Sequence, residues 1–320
     1  MSQRSPLPDP LASGAFTVAG AAAVGVPKGR LRAADLAAPY RGLRVPRGVP
    51  LDLLEMLLPL QRIVALGVAY RTTAARVHGI PLPAWAEEIH PRIELAAPLG
   101  SPRVCRPGLG VRRVIIPDAD VMDFDGIRVT TPQRTFADLA SLLSLADTVA
   151  AGDHLVCAHG PGHPGEREAM MGLEELRRYV ASLKGRHGVV RAREAAGLVR
   201  VGADSPPETK LRLALAEVGL PEPALGLVVC DGFGRPVLFP DLAFPDYRVA
   251  VQYDGGHHLA SAQAASDVRR ESRTLVLGWK SVVVTRADVV DGDYAPAARR
   301  VRQELRRRGW DPMAPVRLAG

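Results

Sequence analysis

The sequence predicts a mixed protein of α/β and α+β class with more than one domain, on three observations. At 320 residues the chain is longer than a single core usually serves. Its composition, 47% hydrophobic and 23% charged, is that of folded globular proteins and excludes wholesale disorder. Runs of β-branched residues such as Val249–Asp254 and Lys280–Thr285 alternate with capped helical patterns, so sheets and helices share the chain. Five segments follow: a tail at 1–14, a basic segment at 15–50, an α+β unit at 51–157, a linker and helix at 158–187, and a mixed sheet flanked by helices at 188–320.

In the basic segment, Thr17 is placed to cap a short helix through Val24, Gly25 makes a turn, and Pro27 opens a second helix to about Leu36. Tyr40–Pro46 then alternates like a short strand. Helix, turn, helix and strand in this order read as a winged helix. Lys28, Arg30, Arg32, Arg41 and Arg44 are the candidate nucleic-acid contacts, because phosphates and guanine edges are read by such cations. Within the first fifty residues only Asp9 and Asp35 offset seven basic side chains. The whole chain carries a formal charge of +7 with a pI near 9.7. That balance favours a polyanionic partner, DNA in the first instance. A chain rich in Ala, Arg, Gly and Pro also accounts for the arginine bias without any function.

The α+β unit opens with an apolar helix from Leu51 and a helix near Thr72–His78, followed by strand-like runs at Arg92–Ala97 and Arg113–Pro117. Ile127–Val129 reads as a further strand, and Thr131-Pro132 starts a helix expected to reach Leu145. The Gly- and Pro-rich stretch Gly160–Gly165 and the break at Gly185–Gly188 mark the linker segment.

From Ser205 the expected order is a helix from Glu208 to Gly219, a strand at Ala224–Val229, a turn at Asp231–Gly234, and a return strand at Val237–Phe244 carrying Asp241. A third strand, Val249–Asp254, ends at Gly255-Gly256. A helix at Ala262–Leu277, a strand at Lys280–Thr285 and a basic helix at Tyr294–Arg308 complete the chain.

Two resemblances attach to these residues. Thr130–Ala140 and Thr73–Gly79, with the basic segment Phe16–Pro46, resemble bacterial proteins grouped with the AbiEi-type antitoxins, over roughly residues 15–155. That resemblance implies a winged helix that represses its own operon and a toxin as partner. Pro240–Pro245, Val249–Gly255 with His258, then Asp267, Arg270 and Leu277–Trp279 resemble the Vsr-like branch of the PD-(D/E)XK nuclease fold, over about Gly188–Trp310. That resemblance implies a restriction-endonuclease-like sheet and Mg²⁺ or Mn²⁺ as cofactor. Asp241 would be the primary metal ligand, Glu208 would come from the preceding helix, and Tyr253 would lend its backbone carbonyl. Gln252 stands where the motif has a second carboxylate, and Asp254 where many such nucleases keep lysine. His257 and His258 are candidate proton donors or acceptors. Together these imply DNA repair or phage defence by phosphodiester hydrolysis, with a non-catalytic transcriptional regulator as the alternative.

Asp153, His154, Cys157, His159 and His163 crowd one short segment, but their spacing is irregular for zinc, and a helix end followed by a Gly-Pro loop accounts for them. Cys105, Cys157 and Cys230 form no C-x-x-C pair, which argues against a disulfide framework and fits a reducing compartment. No apolar stretch is long and charge-free enough for a membrane span, so a cytoplasmic protein is expected, with a toxin or a second copy as further partners.

Overall fold

In the computed structural model, which describes residues 5–88, 93–254, 274 and 276–313, helix α1 is the short turn Asp9–Ala12, and Thr17 ends strand β1 (Phe16–Thr17) by capping α2 (Val18–Ala23). The Thr17 hydroxyl accepts the Gly20 N–H at 2.9 Å, satisfying one of the unpaired donors of the first turn. The expected second helix from Pro27 to Leu36 is replaced by a single 3-10 turn, Arg30–Arg32. Side chains take the carbonyls a longer helix would need: Arg44 Nε donates to Leu31 O at 2.6 Å and Arg47 Nε to Ala34 O at 2.8 Å. The chain passes instead into β2 (Leu36–Ala37) and β3 (Leu43–Pro46), giving an antiparallel sheet in the order β1-β3-β2. Phe16, Ala21, Val26, Leu31 and Leu36 form its core.

Helix α3 (Leu53–Ile63) starts in a capping box in which the Asp52 carboxylate accepts the Glu55 N–H at 2.8 Å and Glu55 accepts that of Asp52 at 2.9 Å. Strand β4 (Val68–Ala69) and helices α4 (Thr72–Val77) and α5 (Ala84–Glu88) precede β5 (Ile93–Ala97), β6 (Leu109–Arg113), β7 (Val121–Phe124) and β8 (Ile127–Thr130). They build a five-stranded sheet in the order β6-β5-β4-β8-β7, with β5/β6 and β4/β8 parallel. Leu57 and Leu60 of α3 pack with Leu95, Ile127 and Val129.

The helix expected from Pro132 to Leu145 is two helices, α6 (Pro132–Leu139) and α7 (Leu145–Val156). Ser141 Oγ donates to Asp138 O at 2.8 Å as α6 ends, and Ser144 starts α7 by accepting the Asp147 N–H at 3.1 Å. The fully buried Arg134 joins Asp138 at 2.6 Å and Asp120 at 2.9 Å.

The chain divides into two compact units, residues Met1–Leu142 with Arg186–Gly188, and Leu143–Gly185 with Val189–Gly320. The three late residues belong to the first unit by contact. Arg186 lies 3.7 Å from Asp120 and 4.0 Å from Asp138. Gly188, at φ +86°, approaches Ser141 so closely that a Cβ would stand 2.6 Å from its backbone nitrogen.

In the second unit, α7, α8 (Leu173–Ser182) and α9 (Val189–Leu198) precede α10 (Pro206–Glu217), with Ser205 as its N-cap and Gly219, at φ +78°, just beyond its end. Asp153 of α7, 1% exposed, is held by Arg212 Nη2 at 3.1 Å and by the Thr209 hydroxyl at 2.8 Å, both from α10, and accepts the Arg200 N–H at 2.7 Å. This buried knot fastens α7 to α10.

The expected strand at Ala224–Val229 and its return at Val237–Phe244 each break in two. Strands β10 (Val229–Cys230) and β11 (Pro236–Leu238) pair as a separate hairpin, while β9 (Ala224–Leu225) and β12 (Leu242–Phe244) join the main sheet. Pro240, which has no N–H to give a ladder, lies between the two return pieces. Strands β13 (Val249–Asp254) and β14 (Lys280–Thr285) complete the sheet in the order β14-β13-β12-β9, with β13/β14 parallel and the other pairs antiparallel.

Alternation along the strands sends Leu242, Phe244, Val249 and Val251 into one core with Leu211 and Leu215 of α10 and with Val301 and Leu305 of α11 (Ala295–Arg307). Ala243 and Ala250 line the other face with Trp279 and Leu238. Nearly all of the expected Ala262–Leu277 helix, with Asp267 and Arg270, falls outside the described residues. The protein is mixed α/β with several small sheets, and among the described residues no helix is long and apolar enough to cross a membrane.

Candidate functional site

Asp241 directly precedes β12, and its Oδ2 accepts the backbone N–H of Tyr253 on β13 at 2.7 Å. This bond fixes the carboxylate across the antiparallel pair, at the end of the sheet where α10 begins. By strand parity Asp241, Gln252 and Asp254 share the side of Ala243 and Ala250, whereas Tyr253 points the other way and its ring lies 6.2 Å from that of Tyr294. Gln252 Nε2 donates to Phe239 O at 3.4 Å, which directs the amide toward the segment leading to Asp241.

Glu208 stands in the first turn of α10 and is 7% exposed. The Ser205 hydroxyl donates to its Oε1 at 2.7 Å and the Asp204 N–H to its Oε2 at 2.9 Å. Burial first, and the neighbouring Asp241 carboxylate second, push the Glu208 carboxyl up to about 7. The two carboxylates repel one another in a poorly solvated place.

The structure therefore brings Glu208, Asp241, Gln252 and the Tyr253 backbone together. Asp254 is exposed at the end of β13 opposite Thr285. His257 and His258 lie outside the described residues. Among the candidate nucleic-acid contacts, Lys28, Arg32 and Arg41 are exposed. Arg30 is held in a two-pronged pair by Asp35 at 2.8 and 3.0 Å, and Arg44 gives its guanidinium to the Leu31 and Leu43 carbonyls.

A cleft of about 330 Å³ runs past Asp241 and is lined by Phe239, Pro240, Asp204 and His163. Asp204 is a residue that local sequence patterns do not single out, since its partners lie 45 and 47 positions earlier. His159 Nε2 is 2.8 Å from Asp204 Oδ1, Cys157 Sγ is 3.4 Å from the same oxygen, and Sγ and Nε2 are 3.5 Å apart. Burial, aided by the Asp204 charge, pushes the Cys157 thiol up to about 12. The crowded Cys/His segment is the end of α7 followed by a loop, as expected. Cys157 and His159 converge with a distant aspartate, while Asp153, the acidic member of the local run, is committed to Arg212.

With the geometry in place, comparison with known proteins marks one region. Residues 65–198 match the family described as the AbiEi antitoxin C-terminal domain. The match takes in the five-stranded sheet, Arg134 with its two aspartates, and helices α7 to α9. Two uncharacterized proteins from Mycobacterium tuberculosis strains are 34% identical over 116 residues, a stretch equal to 36% of this chain. The chain spans 42% of the length of these curated relatives. No solved structure matches it.

Proposed function

We propose that the protein is an antitoxin-like regulator of the AbiEi type that binds DNA through its N-terminal segment. The AbiEi match over residues 65–198 carries this reading. Residues 15–50, one short helix with a three-stranded antiparallel sheet in place of the expected two-helix motif, would present Lys28, Arg32 and Arg41 as the phosphate contacts, with Arg30 and Arg44, bonded within the segment, holding it together. A toxin encoded beside it is the protein partner that similarity to this family would imply. Gel retardation on the DNA upstream of its own gene tests the proposal. Wild type retards the fragment at low salt, and replacing Lys28, Arg32 and Arg41 with Glu weakens binding and lowers the salt slope by about one for each lost phosphate contact. A triple variant that binds as tightly as wild type at every salt concentration would overturn it.

A second reading, metal-dependent hydrolysis of a phosphodiester by residues 188–320, is favoured by the buried Glu208 beside Asp241. The order helix α10, hairpin strands, β13 and parallel β14 supports this reading only at the level of element sequence. The donor set suits a hard divalent cation, because two mutually repelling carboxylates gain most from a shared positive charge. Asp241 and Glu208, with the Gln252 amide oxygen and the Tyr253 carbonyl, would hold Mg²⁺ or Mn²⁺. The cation would lend charge to the scissile phosphate and acidify the attacking water. Tyr253 N–H orients Asp241 for this duty, Phe239 O orients Gln252, and Asp254 is exposed to solvent beyond them.

The neutral Gln252 lowers the charge that retains the cation, so Gln252→Glu is expected to raise plasmid nicking in Mn²⁺ and Asp241→Ala to abolish it. Equal behaviour of wild type and Asp241→Ala would sink this reading and leave the regulator intact.

A further inference from the structure

We propose that Cys157, His159 and Asp204 form a three-ligand site for a divalent cation of the zinc class, beside the Asp241 cleft and separate from the Glu208–Asp241 pair. The donors are a sulfur, an imidazole nitrogen and a carboxylate oxygen, the mixture that zinc takes readily and that magnesium and calcium do not. Their spacing is that of a coordination shell. Zinc bonds of about 2.3 Å to sulfur and about 2.0 Å to nitrogen or oxygen place tetrahedral ligands about 3.5 Å apart along the edges to sulfur. The two edges that meet at Cys157 Sγ measure 3.4 and 3.5 Å. The third edge, His159 Nε2 to Asp204 Oδ1, is 2.8 Å and has to open by about half an ångström.

The site is built before any cation arrives. The His163 ring stacks on the His159 ring at 3.9 Å and 11°. Gly226, at φ +60°, passes so near that a Cβ there would stand 3.1 Å from His159 Nδ1, so the imidazole is held with Nε2 toward the other two donors. Cys157 and His159 are buried, whereas Asp204 has a side chain 44% exposed and lines the cleft, so the cation enters from the Asp204 side. Binding replaces the Cys157 S–H by a metal–sulfur bond and releases that proton to solvent. With three protein ligands, a fourth position is left for water or a ligand, as catalytic zinc sites keep it.

The test uses the purified full-length chain, titrated with Zn²⁺ and, for its spectrum, with Co²⁺. Wild type is expected to retain a single zinc equivalent after desalting and to show thiolate-to-cobalt charge-transfer absorption. Cys157→Ser and Asp204→Asn lose both signals, while Asp241→Ala keeps both. Asp204→Asn, at a half-exposed position, serves as the test should the buried Cys157→Ser fail to fold. Wild type without zinc, or zinc retained in full by Asp204→Asn, would overturn the assignment. Loss of metal in Asp241→Ala but not in Asp204→Asn would assign the cation to the Glu208–Asp241 pair and likewise end the proposal.

Discussion

Asp153→Ala is expected to lower the stability of the second unit by about 3–5 kcal/mol, the usual cost of removing one partner from a buried ion pair. The substitution strips Arg212, whose side chain is 3% exposed, of the nearest charge to its Nη2, leaves the Arg200 N–H without its acceptor, and leaves the Thr209 hydroxyl with only the Ser205 carbonyl at 3.4 Å. Arg212 keeps Glu222 at 3.2 Å and the Leu198 carbonyl at 2.9 Å, which places the loss toward the lower end of that range. Urea titration followed by Trp279 and Trp310 fluorescence reads the change. A double replacement, Asp153→Leu with Arg212→Met, recovers most of the loss, because the desolvation cost of both charges disappears with the pair. A midpoint unchanged in Asp153→Ala would show that α7 is not fastened through this knot.

The second large effect is a pH dependence centred on Glu208. Unfolded, its carboxyl has the ordinary value of 4.5, and in the fold it is raised to about 7. Between those values the native state binds the extra proton, so stability falls as pH rises. The stabilisation is complete below about pH 4.5 and lost above about pH 7, and a shift of this size corresponds to about 3 kcal/mol. Because Glu208 is 7% exposed, solvent screens little of it. Metal-free protein should therefore show a lower urea midpoint at pH 8 than at pH 5. Glu208→Gln should flatten that difference and leave the protein more stable than wild type at pH 8. A slope untouched by Glu208→Gln would remove Glu208 as its source.

How much of this could be read from sequence depended on the distance over which each feature is encoded. Caps and periodicity are local, so Thr17 and the strand Val249–Asp254 stood out, whereas Asp241 and Gln252 were singled out by resemblance. The helix after Pro27 failed because arginines thirteen residues later claim its carbonyls, a contact that propensity and periodicity do not encode. The return strand failed at Pro240, where one periodic run serves two sheets. Cys157 and His159 were visible, but Asp204 reaches them across three intervening helical or loop segments, and nothing in its own neighbourhood marks it.

The short return of Arg186–Gly188 to the first unit bears on synthesis. Polypeptides emerge from the ribosome N-terminus first. When Leu142 has emerged, Asp120 and Asp138 still lack Arg186, and the edge at Ser141 still lacks the glycine that packs upon it. A further forty-odd residues, carrying α7 and α8, must be translated before that edge can close. Those helices in turn wait for α10, which supplies Arg212 and Thr209 to Asp153. The nascent chain therefore completes its two units in an interleaved order, and a translational pause between residues 142 and 186 would hold both of them open at once.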